Sequence, residues 1–93
     1  MKYDIKWFKQ ELKHLFKQYE IEYRHFPEGD FGELQEVVFE NKFKVGAIQF
    51  WSMDYLVIQL FDYQNQEMLI NIIFEPNQDA QKEKGLQNLV SLI

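Results

Sequence analysis

Two periods of apolar residues divide this chain. From Asp4 to Tyr19 they recur at i, i+3, i+4 and i+7: Ile5, Phe8, Leu12, Leu15, Phe16 and Tyr19 form one stripe, which predicts an amphipathic helix. Asp4 is its candidate N-cap, with a carboxylate able to accept from the first unpaired N–H groups. Lys6, Lys13 and Lys17 form a second stripe beside the apolar one. At about 100° per residue, Trp7 and His14 fall together on the far side. A Trp so placed is expected to fold over a neighbouring strand or loop.

At Glu20 the period becomes two. Glu20 to Phe26 alternates, with Ile21, Tyr23 and His25 on one side, as a half-buried strand does. Pro27, Gly29 and Gly32 break the pattern. It resumes from Leu34 to Glu40, and Asn41-Lys42 marks a hairpin. Three further strands follow, over Phe43–Trp51, Tyr55–Phe61 and Glu67–Glu75. A three-residue turn at Ser52-Met53-Asp54 pairs Trp51 with Tyr55, Phe50 with Leu56 and Ile48 with Ile58. That register keeps apolar partners on one face, and a slip of one residue would scramble them. The Asp62–Gln66 loop should bring Leu60 near Met68 and Ile58 near Ile70.

One face of this sheet then reads Ile48, Phe50, Leu56, Ile58, Leu60, Met68, Ile70, Ile72 and Phe74, a core face that the first helix would cover. The other is mixed: Val45, Ala47, Gln49, Trp51, Tyr55, Val57, Gln59, Phe61, Leu69, Asn71 and Ile73. It is too apolar for free solvation and too polar for a dry core, so a second element or a partner should cover part of it. Pro76 and Asn77 end the sheet, and Asp79 is a candidate N-cap for a last helix reaching about Leu92. Only the second half of that helix is amphipathic, through Leu86, Leu89, Val90 and Ile93, and Gly85 weakens it by about 1 kcal/mol relative to Ala. The expected fold is α+β: a four- to five-stranded antiparallel meander sheet with an N-terminal and a C-terminal helix, as one domain over residues 1–93.

Composition fits a small packed domain, with 46% hydrophobic and 17% aromatic residues in a chain of 93. Without cysteine there is no disulfide framework and no thiolate metal site, which fits a reducing cytoplasmic setting. Lys6, Lys9, Lys13 and Lys17 interrupt any signal-peptide core, and no run approaches the ~18 apolar residues of a membrane span. The net charge of −5 is uneven: residues 1–19 carry +3 and the remainder −8. A largely acidic body argues against a nucleic-acid partner and leaves basic proteins open.

Catalytic and ligand motifs are missing from the sequence. His14 and His25 have no metal-ligand spacing to one another, and Ser52 and Ser91 lie outside any nucleophile elbow. Gly29-Asp30-Phe31-Gly32 lacks the Lys-Ser/Thr and the strand-to-helix setting of a phosphate loop. No catalytic, cofactor-binding or metal-ligating residue is therefore expected.

Topology supplies a positive signal. Alternate turns of a meander share one end of the sheet, so the Pro27–Glu33 loop, the Ser52–Asp54 turn and the exit at Glu75-Pro76 should meet. This gathers the acids Glu28, Asp30, Glu33, Asp54 and Glu75 with Phe31, Trp51, Met53 and Tyr55, in segments free of Lys and Arg. Acids around large aromatics suit a basic protein surface: charge speeds and selects the encounter, and the aromatics anchor it.

In size, acidity, lack of cysteine and lack of catalytic motifs, the chain resembles the small immunity proteins of bacterial toxin–immunity pairs, in particular those of contact-dependent growth inhibition. The resemblance implies a cytoplasmic, non-catalytic protein that binds and neutralises a cognate toxin with a basic surface, needing neither nucleic acid nor membrane. Two other readings stand beside it. One is an acidic accessory or secretion-chaperone-like protein that homodimerises through Val57, Leu69 and Ile73; the other is a small ligand-binding domain or enzyme with a polar pocket near His25.

Overall fold

In a computed structural model that describes residues 2–93, α1 (Ile5–Glu11) leads through a 3₁₀ turn (Lys13–Phe16) into five strands. These are β1 (Glu20–Phe26), β2 (Leu34–Glu40), β3 (Lys44–Trp51), β4 (Leu56–Asp62) and β5 (Glu67–Phe74), followed by α2 (Asp79–Leu92). The strands pair in chain order, all antiparallel, which is the α+β meander that the alternation predicts. Each strand lies within a residue of its expected bounds. The β3–β4 register pairs Phe50 with Leu56 and Ile48 with Ile58, and the Trp51 N–H donates to the Tyr55 carbonyl at 3.1 Å.

Both helices cover the same face of the sheet. Val37, Phe39, Ile48, Phe50, Leu56, Ile58 and Leu60 are buried there against Tyr3, Phe8 and Phe16 from the N-terminal segment and Leu86 and Leu89 from α2. Trp7 packs edge-on against Tyr3 and Phe50, so it folds over the sheet as expected, while His14 is exposed. The Asp4 carboxylate caps α1, accepting from Trp7 N–H at 2.7 Å, and Gln35 reaches up from β2 to accept from Ile5 N–H at 2.9 Å. At the other end of the layer Lys44 donates to the Leu92 carbonyl, where a cation suits the α2 C-terminus.

Two glycines mark close approaches, one between α2 and the sheet and one within the sheet. A Cβ on Gly85 would lie 2.5 Å from the Phe74 ring, so the residue that weakens α2 intrinsically is the one that lets it sit down on β5. A Cβ on Gly46 would meet the Phe39 ring and the Gln59 carbonyl, both at 2.5 Å.

Four local expectations are corrected. The first helix does not run to Tyr19: it ends after Glu11, and the 3₁₀ turn leaves Leu15 exposed. A continuous α-helix would separate residues 8 and 16 by about 12 Å along its axis. Folding back instead brings the Phe8 and Phe16 rings to 5.3 Å and Phe16 to 4.8 Å from Phe39. The second correction is the β4–β5 register, which pairs Leu60 with Ile70 and Ile58 with Ile72. A bulge then matches Phe61 with Met68, leaving Leu69 as the extra residue. Leu69 thus packs towards the core, while Met68 sits beside Phe61 on the uncovered face. Third, the β2–β3 tip is Lys42-Phe43, one residue later than expected, because the Asn41 side chain accepts from both Phe43 and Lys44 N–H at 2.9 Å. Fourth, Gln78 and not Asp79 precedes α2, and its side chain accepts from Glu75 N–H at 2.7 Å.

The core side of β1 holds a polar group without a partner. The Tyr23 hydroxyl is buried with no hydrogen bond among the described residues, and burial raises its pKa. A buried unpaired hydroxyl is costly. Tyr23→Phe should therefore raise stability by about 1 kcal/mol, read as a higher urea midpoint; a lower midpoint would mean that the hydroxyl contributes a bond of its own.

Candidate binding face

The uncovered side of the sheet follows from strand alternation. Residues 45, 47, 49 and 51 of β3 and 57, 59 and 61 of β4 point away from the helices, and the register adds Glu22, Arg24, Glu36 and Val38 from β1 and β2. No helix among the described residues packs on this side, where Ile73 and Met68 are 47% and 49% exposed. Val38, Val45, Ala47, Val57 and Phe61 form an apolar floor. The small side chain of Ala47 leaves a shallow depression of about 300 Å³, bounded by Val38, Phe61, Met68 and Arg24.

A polar chain crosses this floor. The Gln49 amide donates to Glu36 at 2.8 Å, and Trp51 Nε1 donates to Gln49 at 3.3 Å. The second Glu36 oxygen lies 3.7 Å from Arg24, which is also bonded to Glu22. Further along, Gln59 donates to Asn71 at 3.3 Å. Glu36 is buried although no helix among the described residues lies over it, and its neighbours within the sheet remove it from water.

One end of the face is closed by the loop before β2. Phe31 stacks on Tyr55 with ring centroids 4.0 Å apart and meets Trp51 edge-on at 5.4 Å. Gly29 abuts the Trp51 ring, where a Cβ would approach to 2.7 Å, and Gly32 turns the chain with φ +90°. The loop is tied to the β3–β4 turn: Ser52 N–H donates to Glu33 C=O at 2.8 Å, Met53 N–H to Phe31 C=O at 3.1 Å, and Glu33 N–H to Ser52 Oγ at 2.8 Å. Asp54 in turn accepts from Asn77 N–H at 3.3 Å, just past β5. The three turns do meet at one end of the sheet.

The nine residues singled out in the sequence have different settings there. Phe31, Trp51 and Tyr55 form one aromatic cluster, continuous with the uncovered face. Glu28, Asp30 and Glu75 are exposed, and Met53 is exposed at the turn's tip. Glu33 is exposed and lies 2.9 Å from His25 Nε2. Asp54 points elsewhere: its Oδ1 lies 3.1 Å from Nζ of Lys82, a side chain only 1% exposed, which also donates to the Asp54 carbonyl at 2.6 Å. Partial burial alone would push the Asp54 carboxyl up; the Lys82 hydrogen bond and charge, with the Asn77 N–H, outweigh it and hold the group below the usual aspartate value.

Sequence reasoning missed Lys82, Arg24, Glu36 and Val38. A signal for Glu36 was present: a lone acid amid Leu34, Val37, Val38 and Phe39 needs a partner. Lys82 gave none, since a lysine on a weakly amphipathic helix reads as surface.

Charge on the two sides of the sheet differs in sign. The uncovered positions carry Glu20, Glu22, Glu36 and Glu40 against Arg24, with Glu75 at the exit of β5. The nine lysines lie in the helix layer, in the chain leading into it, at the β2–β3 tip or, for Lys44, against the end of α2. Among the described residues, no three His, Asp or Glu side chains come together as a metal-ligand set, and no helix is long and apolar enough to cross a membrane. No protein-family model matches the chain, and comparison with curated proteins and with solved structures gives no match.

Proposed function

We propose that this chain is a non-catalytic protein-binding domain whose uncovered sheet face and aromatic end receive a partner with a basic surface. More particularly, we read it as a cytoplasmic immunity protein that occupies and neutralises a cognate toxin. The observation that carries the reading is the pairing of an unpartnered sheet face, with an apolar floor at its centre, and a rim of carboxylates, on a molecule whose lysines lie elsewhere. An apolar floor supplies affinity on desolvation, and Phe31, Trp51 and Tyr55 are the anchor type that dominates interface energy. The rim steers a cationic partner and repels nucleic acid. Two copies placed face to face would oppose their own acids, which counts against homodimerisation through this face.

The test is a titration against the toxic domain encoded beside this chain's reading frame. A 1:1 complex should form, toxin activity should fall, and the association rate should drop roughly tenfold or more between low and high salt. Trp51→Ala should weaken the complex by about tenfold or more. No complex, or one indifferent to both salt and Trp51, overturns the reading.

A further inference from the structure

The sheet has two free edges of opposite character. The β1 edge carries Glu20, Glu22, Arg24 and His25 within seven residues, the charged pattern that discourages strand addition. The β5 edge carries no charge from Met68 to Phe74. Ile70 is buried in the core, but the two isoleucines after it are uncovered, one on each side of the sheet: Ile72 is 42% exposed on the helix side and Ile73 47% on the other. A strand that shows apolar side chains to water on both faces, beside a free row of backbone N–H and C=O groups, is built as an inner strand and placed at an edge.

We propose that β5 is completed by a sixth strand from the partner: an extended, uncharged, β-branched segment with Lys or Arg at each end. Backbone hydrogen bonds would supply register-independent affinity, and side chains flanking Ile72 and Ile73 would cover both faces. The basic ends follow from Glu67 and Glu75, both exposed, which bracket the uncharged run. The same two acids argue against a second copy of this chain. An antiparallel self-pairing that overlaps the whole run centres on Asn71 and sets Glu67 opposite Glu75 at both ends, and like charges directly opposite destabilise a ladder. The inference rests on the basic-partner reading and extends it past the uncovered face to the β5 edge: Ile73 belongs to that face, whereas Ile72 lies on the helix side and is no part of it.

The probe is a synthetic peptide of five alternating Val and Thr residues with two lysines at each end, added to the isotope-labelled full chain. Amide exchange of residues 68–74 should slow by about tenfold or more at saturation, with β1 unaffected. The same peptide with glutamate ends should bind at least about tenfold more weakly at low salt. Ile72→Lys, at an exposed position outside the buried core, should abolish binding, whereas Phe26→Lys, at a similarly exposed position on the opposite edge strand, should leave it unchanged. Protection appearing on β1 or β2 in place of β5, no protection at millimolar peptide, or a β5-protected homodimer forming without peptide each overturns the proposal. So does a toxin complex that Ile72→Lys leaves untouched, and that last result leaves the uncovered-face reading standing.

Discussion

Asp54→Asn should cost about 2–3 kcal/mol of stability at neutral pH, a large effect for a turn residue. Breaking a buried ion pair typically costs about 3–5 kcal/mol, because the remaining charge stays buried without its counter-charge. The lower figure applies because the Asp54 side chain is 38% exposed and its carbonyl still accepts from Lys82. Asparagine is the informative replacement: it keeps the side-chain shape and tolerates the φ of +70° that this position requires. The cost should depend on pH in one direction. A carboxyl with a lowered folded pKa binds its proton less readily when folded than when unfolded. Its contribution is complete above the ordinary aspartate value and is lost as pH falls through the lower, folded one. Urea midpoints of the two proteins should therefore differ at pH 7 and converge at the acid end. Adding Lys82→Met to the Asp54→Asn variant should recover most of the loss, since an apolar side chain of similar length fills the site without a charge. A loss under about 0.5 kcal/mol for Asp54→Asn would show that solvent reaches Lys82 and that the pair does not hold the turn against α2.

This pair bears on the proposed binding face. Among the acids gathered at that end, Asp54 is the one engaged with a buried cation, so its replacement would weaken a complex by loosening the platform. Glu28, Asp30 and Glu75 are exposed, and their removal should act on the association rate while leaving stability nearly unchanged.

What the sequence disclosed and what it hid have separate physical causes. Strand alternation is a local property, and with Pro27, Gly29 and Gly32 as breaks it located β1 to β5. The β3–β4 register followed because a three-residue turn leaves only one pairing that keeps Ile48, Phe50, Leu56 and Ile58 together. The β4–β5 register was hidden because a bulge shifts the count at Leu69 without any Gly or Pro to announce it, moving Met68 from one face to the other. The end of α1 was hidden for a related reason. Leu12 to Phe16 keeps a helical spacing, and what breaks it is the placing of Phe16 on Phe39, a residue of β2. Tertiary packing overrides local pattern at both places. The aromatic end was legible from topology alone, because the turns of a meander alternate between ends. The uncovered face was half legible: its β3 and β4 composition was plain, but the bulge exchanged Met68 and Leu69 on β5, and that both helices take the other side is decided by Tyr3, Phe8, Leu86 and Leu89 choosing a common core.

Val57→Lys should weaken the complex at least 100-fold, about 2.7 kcal/mol, with little change in urea midpoint. Val57 lies near the middle of the uncovered face, paired across the sheet with Gln49 and Ile73, and its side chain touches no helix. Lysine there can extend into water in the free protein, so the fold loses little. On docking, the ammonium would be desolvated against a surface that is itself basic, and a buried like-charge contact carries both penalties at once. Val57→Ala removes only apolar area and should cost less than about 1.5 kcal/mol, which separates lost contact from imposed charge. Lys13→Glu, at an exposed position of the 3₁₀ turn on the opposite side, supplies the control: it changes net charge by two in the direction that favours a cationic partner and touches no part of the proposed face. Calorimetric titration of the three variants should show Val57→Lys far weaker than the rest and Lys13→Glu equal to or slightly tighter than the parent. Equal losses from Val57→Lys and Lys13→Glu would place the partner on the helix layer. A Val57→Lys protein that binds as the parent does would leave the uncovered apolar floor without a role in recognition.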